Sequence, residues 1–205
     1  MNLRLYLVSK SVSRRFLERV ECFKFSLYRD SKFITDDTIK FISDIVPHHK
    51  VKTIDLSYCE QITHRCIKYL QHFTNLKVLN LTGCRSFAIM DVSYFEFLAR
   101  FTRLQELYLH NCVNEGSIVR YIYSLTTLKR LSLPLNSDDS LLLQLSHHLP
   151  NLVAISFEPR KYITDKGLKC LPVTNSLREL ALEESLFVAD CYLETLPSFS
   201  NLTSL

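Results

Sequence analysis

The stretch Leu76-Lys77-Val78-Leu79-Asn80-Leu81-Thr82-Gly83-Cys84 decides the fold of this chain. It follows the pattern L-x-x-L-x-L-x-x-C. Its central part alternates apolar and other residues with a period of two, which is typical of a strand with one buried face. The cysteine that follows is a small apolar side chain able to pack where the chain leaves the strand. The stretch therefore predicts a short strand followed by a turn.

The same pattern returns along the chain at intervals of 24 to 31 residues. The repeats begin at Val20, Val51, Leu76, Leu104, Leu128, Leu152, Leu177 and Leu202. A regular period of this size is the signature of a leucine-rich-repeat solenoid, in which each unit adds one strand to a continuous parallel sheet. The sequence thus predicts an α/β solenoid, a right-handed horseshoe arc with the sheet on its concave side and helices on its convex side.

The second half of each repeat has helical character. Thr35 or Asp36 is expected to cap a first helix that ends before Pro47, and Ser137 or Asp138 to cap a later one. Further helices are expected over residues 65–73, 94–101, 118–125, 139–149 and 189–196. Because helices are wider than the ~4.8 Å spacing of strands, the stack is expected to curve with its strands inside.

Two segments are expected in the chain. Residues 1–19 form a basic, helical N-terminal segment that covers the first repeat, and residues 20–205 form about seven repeats and the start of an eighth. Because the pattern stops within that last repeat, we expect the chain to be a fragment of a longer protein or the product of an incomplete gene model.

Composition narrows the class of function. The formal charge of +4 is too small to imply nucleic-acid binding. The longest apolar runs fall short of the roughly 18 residues that a membrane span needs. Seven cysteines form no C-x-x-C pair, which favours reduced, buried thiols and a cytoplasmic or nuclear protein.

No catalytic or metal-ligating constellation has a usable spacing. Cys59, His64 and Cys66 could be imagined as zinc ligands, but they lack a fourth partner. Asp36-Asp37 and Asp138-Asp139 are interpreted as first-turn acids of helices, and the histidine pairs 48–49 and 147–148 as residues near helix C-termini. We therefore predict a protein that is not an enzyme and needs no cofactor or metal.

The remaining candidate for function is the polar face of the sheet. Strand residues that flank the inward leucines project from the concave side. The candidate partner-binding residues on this face are Asp55, Asn80, Tyr108, His110, Arg130, Glu158 and Glu183. Tyr108 and Arg130 are of the types favoured at the centre of interfaces, so this face is expected to bind another protein.

The repeats over 20–205 resemble the cysteine-containing class of leucine-rich repeats. The stretch Tyr162-Ile163-Thr164-Asp165-Lys166-Gly167-Leu168-Lys169-Cys170-Leu171 is close to that class's I-T-D-x-G-L-x-x-L, and residues 33–39 and 61–63 are weaker copies. Cys59, Cys84 and Cys112 match its cysteine position, whereas Asn136, Arg160 and Ser185 depart from it. This class is familiar from F-box proteins, which are substrate receptors of cullin–RING ubiquitin ligases.

The N-terminus also resembles part of an F-box. Residues 3–16 are similar to the L-x-x-V-S/C-R/K-x-W stretch of its second half, with Val12 in place of the tryptophan and with the first half absent. The resemblance implies a substrate-recognition subunit of an SCF-type ubiquitin ligase, bound to a Skp adaptor and, through it, a cullin. The alternative is a leucine-rich-repeat scaffold or assembly protein with no link to ubiquitin.

Overall fold

The computed structural model describes residues 19–25, 31–87, 92–112, 118–135, 137–158, 163–171, 176–182 and 201–204. Several sequence-based expectations fall outside these residues. They are the N-terminal segment apart from Arg19, the helix over 189–196, and the residues Asn136, Arg160, Tyr162, Glu183 and Ser185.

One parallel sheet runs through the described part of the chain. Its seven strands follow one another in sequence order, so each repeat adds its strand beside the strand of the preceding repeat. The strands are β1 (Cys22–Lys24), β2 (Thr53–Asp55), β3 (Val78–Asn80), β4 (Glu106–Tyr108), β5 (Arg130–Ser132), β6 (Ala154–Phe157) and β7 (Glu179–Leu182). Helices connect these strands, so the chain folds as an α/β leucine-rich-repeat solenoid, as the sequence predicted.

The register of the sheet follows from the repeat pattern. The middle apolar residue of each strand pairs with its counterpart in the next: Phe23, Ile54, Leu79, Leu107, Leu131, Ile155 and Leu180. All of these side chains are buried in one continuous core. A slip of one residue would turn every one of them toward solvent, so burial of one face fixes the register.

Short helices form the other layer. They are α1 (Asp36–Ile45), α2 (Ile67–Leu70), α3 (Val119–Ile122), α4 (Asp139–His148) and α5 (Asp165–Leu168). The third repeat has a 3₁₀ helix, Val92–Arg100, where the sequence predicted an α-helix, and its Phe95, Leu98 and Phe101 are nevertheless buried. Two of these α-helices, α1 and α4, have ten residues, and α2, α3 and α5 have four.

The helix N-termini are tied to the following repeat. The Asp36 carboxylate in α1 accepts hydrogen bonds from the Thr63 backbone N–H at 2.8 Å and from the Thr63 hydroxyl at 2.5 Å. Asp139 in α4 accepts the same two bonds from Thr164, at 2.7 and 2.6 Å. Thr63 and Thr164, the threonines of two I-T motifs, therefore each clamp their own repeat to the helix before it. Asp138, not Ser137, caps α4, with its carboxylate accepting from Leu141 N–H at 2.9 Å.

The repeat cysteines lie behind a tight turn. Cys59, Cys84 and Cys112 are completely buried, and the residue before each of them has a positive φ angle: 59° at Tyr58, 70° at Gly83 and 52° at Asn111. The Cys84 thiol donates to the Leu56 carbonyl of the preceding repeat at 3.0 Å. The three cysteines therefore fill the corner after the strand, and Cys84 also bonds to the preceding repeat.

Within the described residues, no helix has the length and apolarity needed to cross a membrane.

Candidate functional site

The face of the sheet opposite the core is its open face, and two rows of side chains project from it. Cross-strand pairing places the residues of each row side by side. The first row is Cys22, Thr53, Val78, Glu106, Arg130, Ala154 and Glu179. The second row is Lys24, Asp55, Asn80, Tyr108, Ser132, Ser156 and Ala181. Because the strands are parallel and in register, adjacent residues of a row are about 4.8 Å apart.

A cavity of about 380 Å³ opens on the first half of this face. Its lining comes from β1 to β4, and the residues are Cys22, Lys24, Thr53, Asp55, Val78, Asn80, Glu106 and Tyr108. Val78 and the Tyr108 ring give it apolar surface, whereas Lys24, Asp55 and Glu106 give it charges of both signs. Most known ligand sites combine apolar walls with a few polar groups in this way.

The two polar side chains at the centre of the cavity are oriented by the turns that follow them. Asp55 Oδ1 accepts hydrogen bonds from the Ser57 backbone N–H at 3.0 Å and from the Ser57 hydroxyl at 2.7 Å. Asn80 Oδ1 accepts one from the Thr82 backbone N–H at 3.0 Å. These bonds use one polar atom of each side chain. The second carboxylate oxygen of Asp55 and the amide nitrogen of Asn80 therefore keep hydrogen-bonding capacity for a ligand in the cavity that both residues line.

Tyr108 is half-buried at the wall of the cavity. Its hydroxyl donates to Glu106 Oε2 at 2.8 Å, across the two positions of one strand that share the open face. Burial, followed by this hydrogen bond, raises the pKa of Tyr108 to about 12. The phenol therefore remains protonated at neutral pH, with an apolar ring and a fixed polar tip.

An ion pair lies on the second half of the open face, between β5 and β7. Arg130 on β5 donates two hydrogen bonds to the Glu179 carboxylate on β7, both at 2.6 Å. Between them lies Ala154 on β6, which is 8 % exposed and small enough for the guanidinium to reach across. The paired hydrogen bonds raise the pKa of Arg130 and lower the pKa of Glu179, so the two shifts agree in their cause.

The structure brings Asp55, Asn80, Tyr108 and Arg130 to one face, but it corrects the position of His110. That side chain is only 5 % exposed, whereas the sequence placed it on the binding surface. Ser57 and Pro134, at equivalent positions of other repeats, are also buried. The reason is that the chain turns toward the core directly after the strand, so the alternation of a strand no longer applies there. Glu158 is partly exposed, and Glu183 lies outside the described residues.

Sequence reasoning did not single out the partners of the two principal residues. The alternation of each strand turns Glu106 and Glu179 outward, but nothing in the sequence shows that they bond to Tyr108 and Arg130. Their pairing depends on the small Ala154 and on the register of strands separated by whole repeats.

The described residues offer little for catalysis. Burial raises the pKa of the Cys84 thiol to about 12 and raises the pKa of the Cys59, Cys66 and Cys112 thiols as well. Thiols with raised pKa values are poor nucleophiles at neutral pH. No group of three histidine, cysteine, aspartate or glutamate side chains in the described part of the chain is arranged to hold a metal ion.

Fold and surface together define a leucine-rich-repeat solenoid with a polar open face. No protein-family model matches the chain, and no curated protein matches it. Among solved structures, an internalin from Listeria monocytogenes is 17 % identical over 99 % of this chain and 72 % of its own, with a TM-score of 0.42. Actin-binding site 2 of leiomodin-1 is 17 % identical over 56 % of this chain and 75 % of its own, with a TM-score of 0.40. Similarities this weak do not bear on function, so the assignment of the fold rests on the sheet and its register.

Proposed function

We propose that the protein is an interaction module whose open face binds another protein. The observation that supports this is the cavity of about 380 Å³ over β1 to β4, which is lined both by polar side chains held by local hydrogen bonds and by the aromatic Tyr108. Preorganised side chains lose little conformational entropy on binding, which favours affinity. The backbone groups of neighbouring strands are already hydrogen-bonded to one another. A partner on the open face is therefore recognised through side chains, because no strand can be added inside the sheet.

Tyr108 is the expected anchor of this surface. An aromatic ring with a polar tip buries a large area on binding, and tyrosine is enriched among the residues that contribute most to interface energy. Arg130 and Glu179 already satisfy one another, so we expect them to form the rim of the interface and to contribute less.

A more specific form of this proposal is that the chain is the substrate-recognition subunit of an SCF-type ubiquitin ligase in the cytoplasm or nucleus. It is supported by the repeat class seen in residues 162–171 and by the F-box-like residues 3–16. Co-purification of a Skp adaptor and a cullin with the full-length protein tests it. An absence of any adaptor, together with no L-P-x-E/D-L-L segment encoded upstream of Met1, would favour a scaffold unrelated to ubiquitin.

The surface itself is tested by comparing three variants in affinity purification of the full-length protein, with quantitative mass spectrometry of the bound proteins. Tyr108→Ala should remove a specific set of partners and leave the melting temperature almost unchanged, because the residue is half-exposed and outside the core. Arg130→Glu should weaken the same set to a smaller extent, because it reverses a charge at the rim of the interface and leaves Glu179 unpaired. Lys166→Ala, an exposed change on α5, serves as the matched control and should retain every partner.

Core variants separate binding from folding. Leu107→Ala removes a fully buried side chain next to Tyr108 and should reduce the free energy of unfolding by about 2–5 kcal/mol. Leu131→Ala should act in the same way. If Tyr108→Ala also unfolded the protein, or if it bound the same partners as the control, the open face would not be the binding surface.

A further inference from the structure

A second ladder of residues crosses the sheet just before the strands begin. The backbone N–H of each member donates to the carbonyl of the member in the preceding repeat: Lys52 to Glu21, Lys77 to Lys52, Gln105 to Lys77, Lys129 to Gln105, Val153 to Lys129 and Arg178 to Val153. All six distances lie between 2.7 and 2.8 Å. The ladder is therefore as regular as the sheet, and it runs along one edge of the open face.

This edge carries an excess of positive charge. Four ladder members are cationic, and Lys50 and Arg103 lie two residues before ladder positions; we call these six residues the basic rim: Lys50, Lys52, Lys77, Arg103, Lys129 and Arg178. Glu21 is the one acidic member of the ladder. The whole chain has a formal charge of only +4, so the rim concentrates positive charge that the rest of the molecule offsets.

Most of the rim is exposed and not neutralised within the described residues. Lys50, Lys77, Arg103 and Lys129 are exposed and lie within 4.0 Å of no carboxylate in the described part of the chain. Lys52 pairs with Glu21 at 2.7 Å. Like charges that lie directly opposite one another on paired chain segments are destabilising, and Lys52 and Lys77 are neighbours of this kind in the ladder. An anionic ligand that lies along the rim would relieve this repulsion.

We propose that the basic rim binds an acidic, extended peptide segment of a partner protein. From Lys52 to Arg178 the ladder crosses the sheet from β2 to β7, which is roughly 24 Å at the usual strand spacing. An extended segment of about seven or eight residues covers that distance. The carboxylates on one side of such a segment would pair with cations of the basic rim in successive or alternate repeats. Lysine side chains are flexible enough to adjust to the spacing of these carboxylates.

The surroundings of the rim favour a narrow ligand over a wide anionic surface. Glu106 and Glu179 follow ladder residues directly and lie on the adjoining open face. A nucleic-acid duplex or a membrane broad enough to cover both would bring phosphates against these carboxylates. The described ladder residues also include no aromatic side chain, whereas single-stranded nucleic acid is usually held by base stacking on aromatic rings. An acidic peptide can remain on the rim and avoid both problems.

The test is fluorescence anisotropy of a labelled peptide of alternating glutamate and serine, about ten residues long, with a glutamine–serine peptide for comparison. The double variant Lys77→Glu/Lys129→Glu reverses two rim charges. The matched control, Lys40→Glu/Lys166→Glu, makes the same change of net charge on exposed positions of α1 and α5. We expect the rim variant to lose at least about tenfold in affinity and the control to lose less than about threefold. Binding should also vanish near 1 M salt, where the Debye length falls to about 3 Å.

Three results would overturn the proposal. They are equal losses in the rim and control variants, equal binding of the glutamine–serine peptide, and stronger competition by a single-stranded oligonucleotide or by phosphatidylserine vesicles than by unlabelled acidic peptide. The milder Lys77→Gln/Lys129→Gln variant decides the matter if charge reversal impairs folding. Peptide binding by the basic rim goes beyond protein binding by the open face, and each proposal can be wrong while the other is right. Tyr108→Ala should leave affinity for the acidic peptide unchanged even if it removes the open-face partners.

Discussion

At the scale of the residue, the position before each repeat cysteine has the most constrained backbone. Tyr58, Gly83 and Asn111 all occupy the left-handed region, which costs an ordinary L-residue roughly 1–2 kcal/mol. Asparagine and glycine tolerate it, and tyrosine does so only because the surrounding structure holds it there. The Tyr58 ring also lies against Gly83, where a Cβ atom would be 2.5 Å from Tyr58 Cδ1. Gly83 is therefore required for its φ angle and for the space it leaves.

Replacing Gly83 with alanine should show both requirements. We expect Gly83→Ala to reduce the free energy of unfolding by about 1–3 kcal/mol, because the backbone is strained and the new methyl group contacts the Tyr58 ring. Urea unfolding measures the loss.

The Tyr58→Ala background separates the two contributions. There the same glycine change should cost only the backbone part, about 1–2 kcal/mol. Equal penalties in the two backgrounds would show that the ring does not occupy the space over Gly83.

At the scale of the element, the helices are short and depend on contacts with the next repeat. Helices of four residues are far below the length that is stable alone in water. The Asp36–Thr63 and Asp139–Thr164 clamps supply charge-assisted hydrogen bonds at the helix N-termini, where a carboxylate also interacts favourably with the helix dipole. Gly167 in α5 lets α4 and α5 approach each other closely, since a Cβ atom at this position would be 2.9 Å from the Asp139 Cα atom.

A double-mutant cycle measures the clamp between repeats. Asp139→Ala and Thr164→Val should each destabilise the protein, and together they should cost less than the sum, with a coupling of about 1–2 kcal/mol. Thermal or urea unfolding of the four proteins provides the cycle. Asp37→Ala is the control, because Asp37 is also a first-turn acid but is exposed and takes no part in the clamp. That change should cost less than about 1 kcal/mol, and additive effects of Asp139 and Thr164 would contradict the clamp.

At the scale of the whole molecule, stability accumulates from contacts between neighbouring repeats. The core is one continuous cluster from Val20 to Leu180, and in a stack of this kind most of the packing is between neighbouring repeats. The buried thiols of Cys59, Cys66, Cys84 and Cys112 belong to this shared interior and remain protonated there. Any condition that ionises them in the unfolded chain therefore acts on the stability of the whole stack.

Alkaline pH should destabilise the protein through these thiols. The folded-state pKa of Cys84 is raised from 9.0 to about 12, so its stabilising contribution is complete below pH 9 and declines as the pH rises from 9 toward 12. At about pH 10 one such thiol should have lost roughly 1.4 kcal/mol, because the unfolded form ionises first. Urea unfolding at about pH 8 and about pH 10 measures this loss.

The Cys84→Ala variant isolates the contribution of one thiol. It should be less stable at about pH 8 but should show a smaller further loss on going to about pH 10. An identical decline in the variant would mean that the Cys84 thiol ionises as readily in the folded protein as in the unfolded chain.

The sequence by itself determined the repeat, the parallel sheet, its register and the identity of the core residues. Side chains alternate between the two faces of a strand, and the apolar pattern recurs at similar intervals, so both can be read directly from the order of residues. It also placed Asp55, Asn80, Tyr108 and Arg130 on one face for the same reason. Only the tertiary structure decided which residues meet across repeats: Arg130 with Glu179 over Ala154, Thr164 with Asp139, and Tyr58 with Gly83. It also buried His110, because the chain leaves the strand before that residue and the alternation ends. These contacts depend on the exact stacking of units some twenty-five residues apart, and no local pattern carries that information.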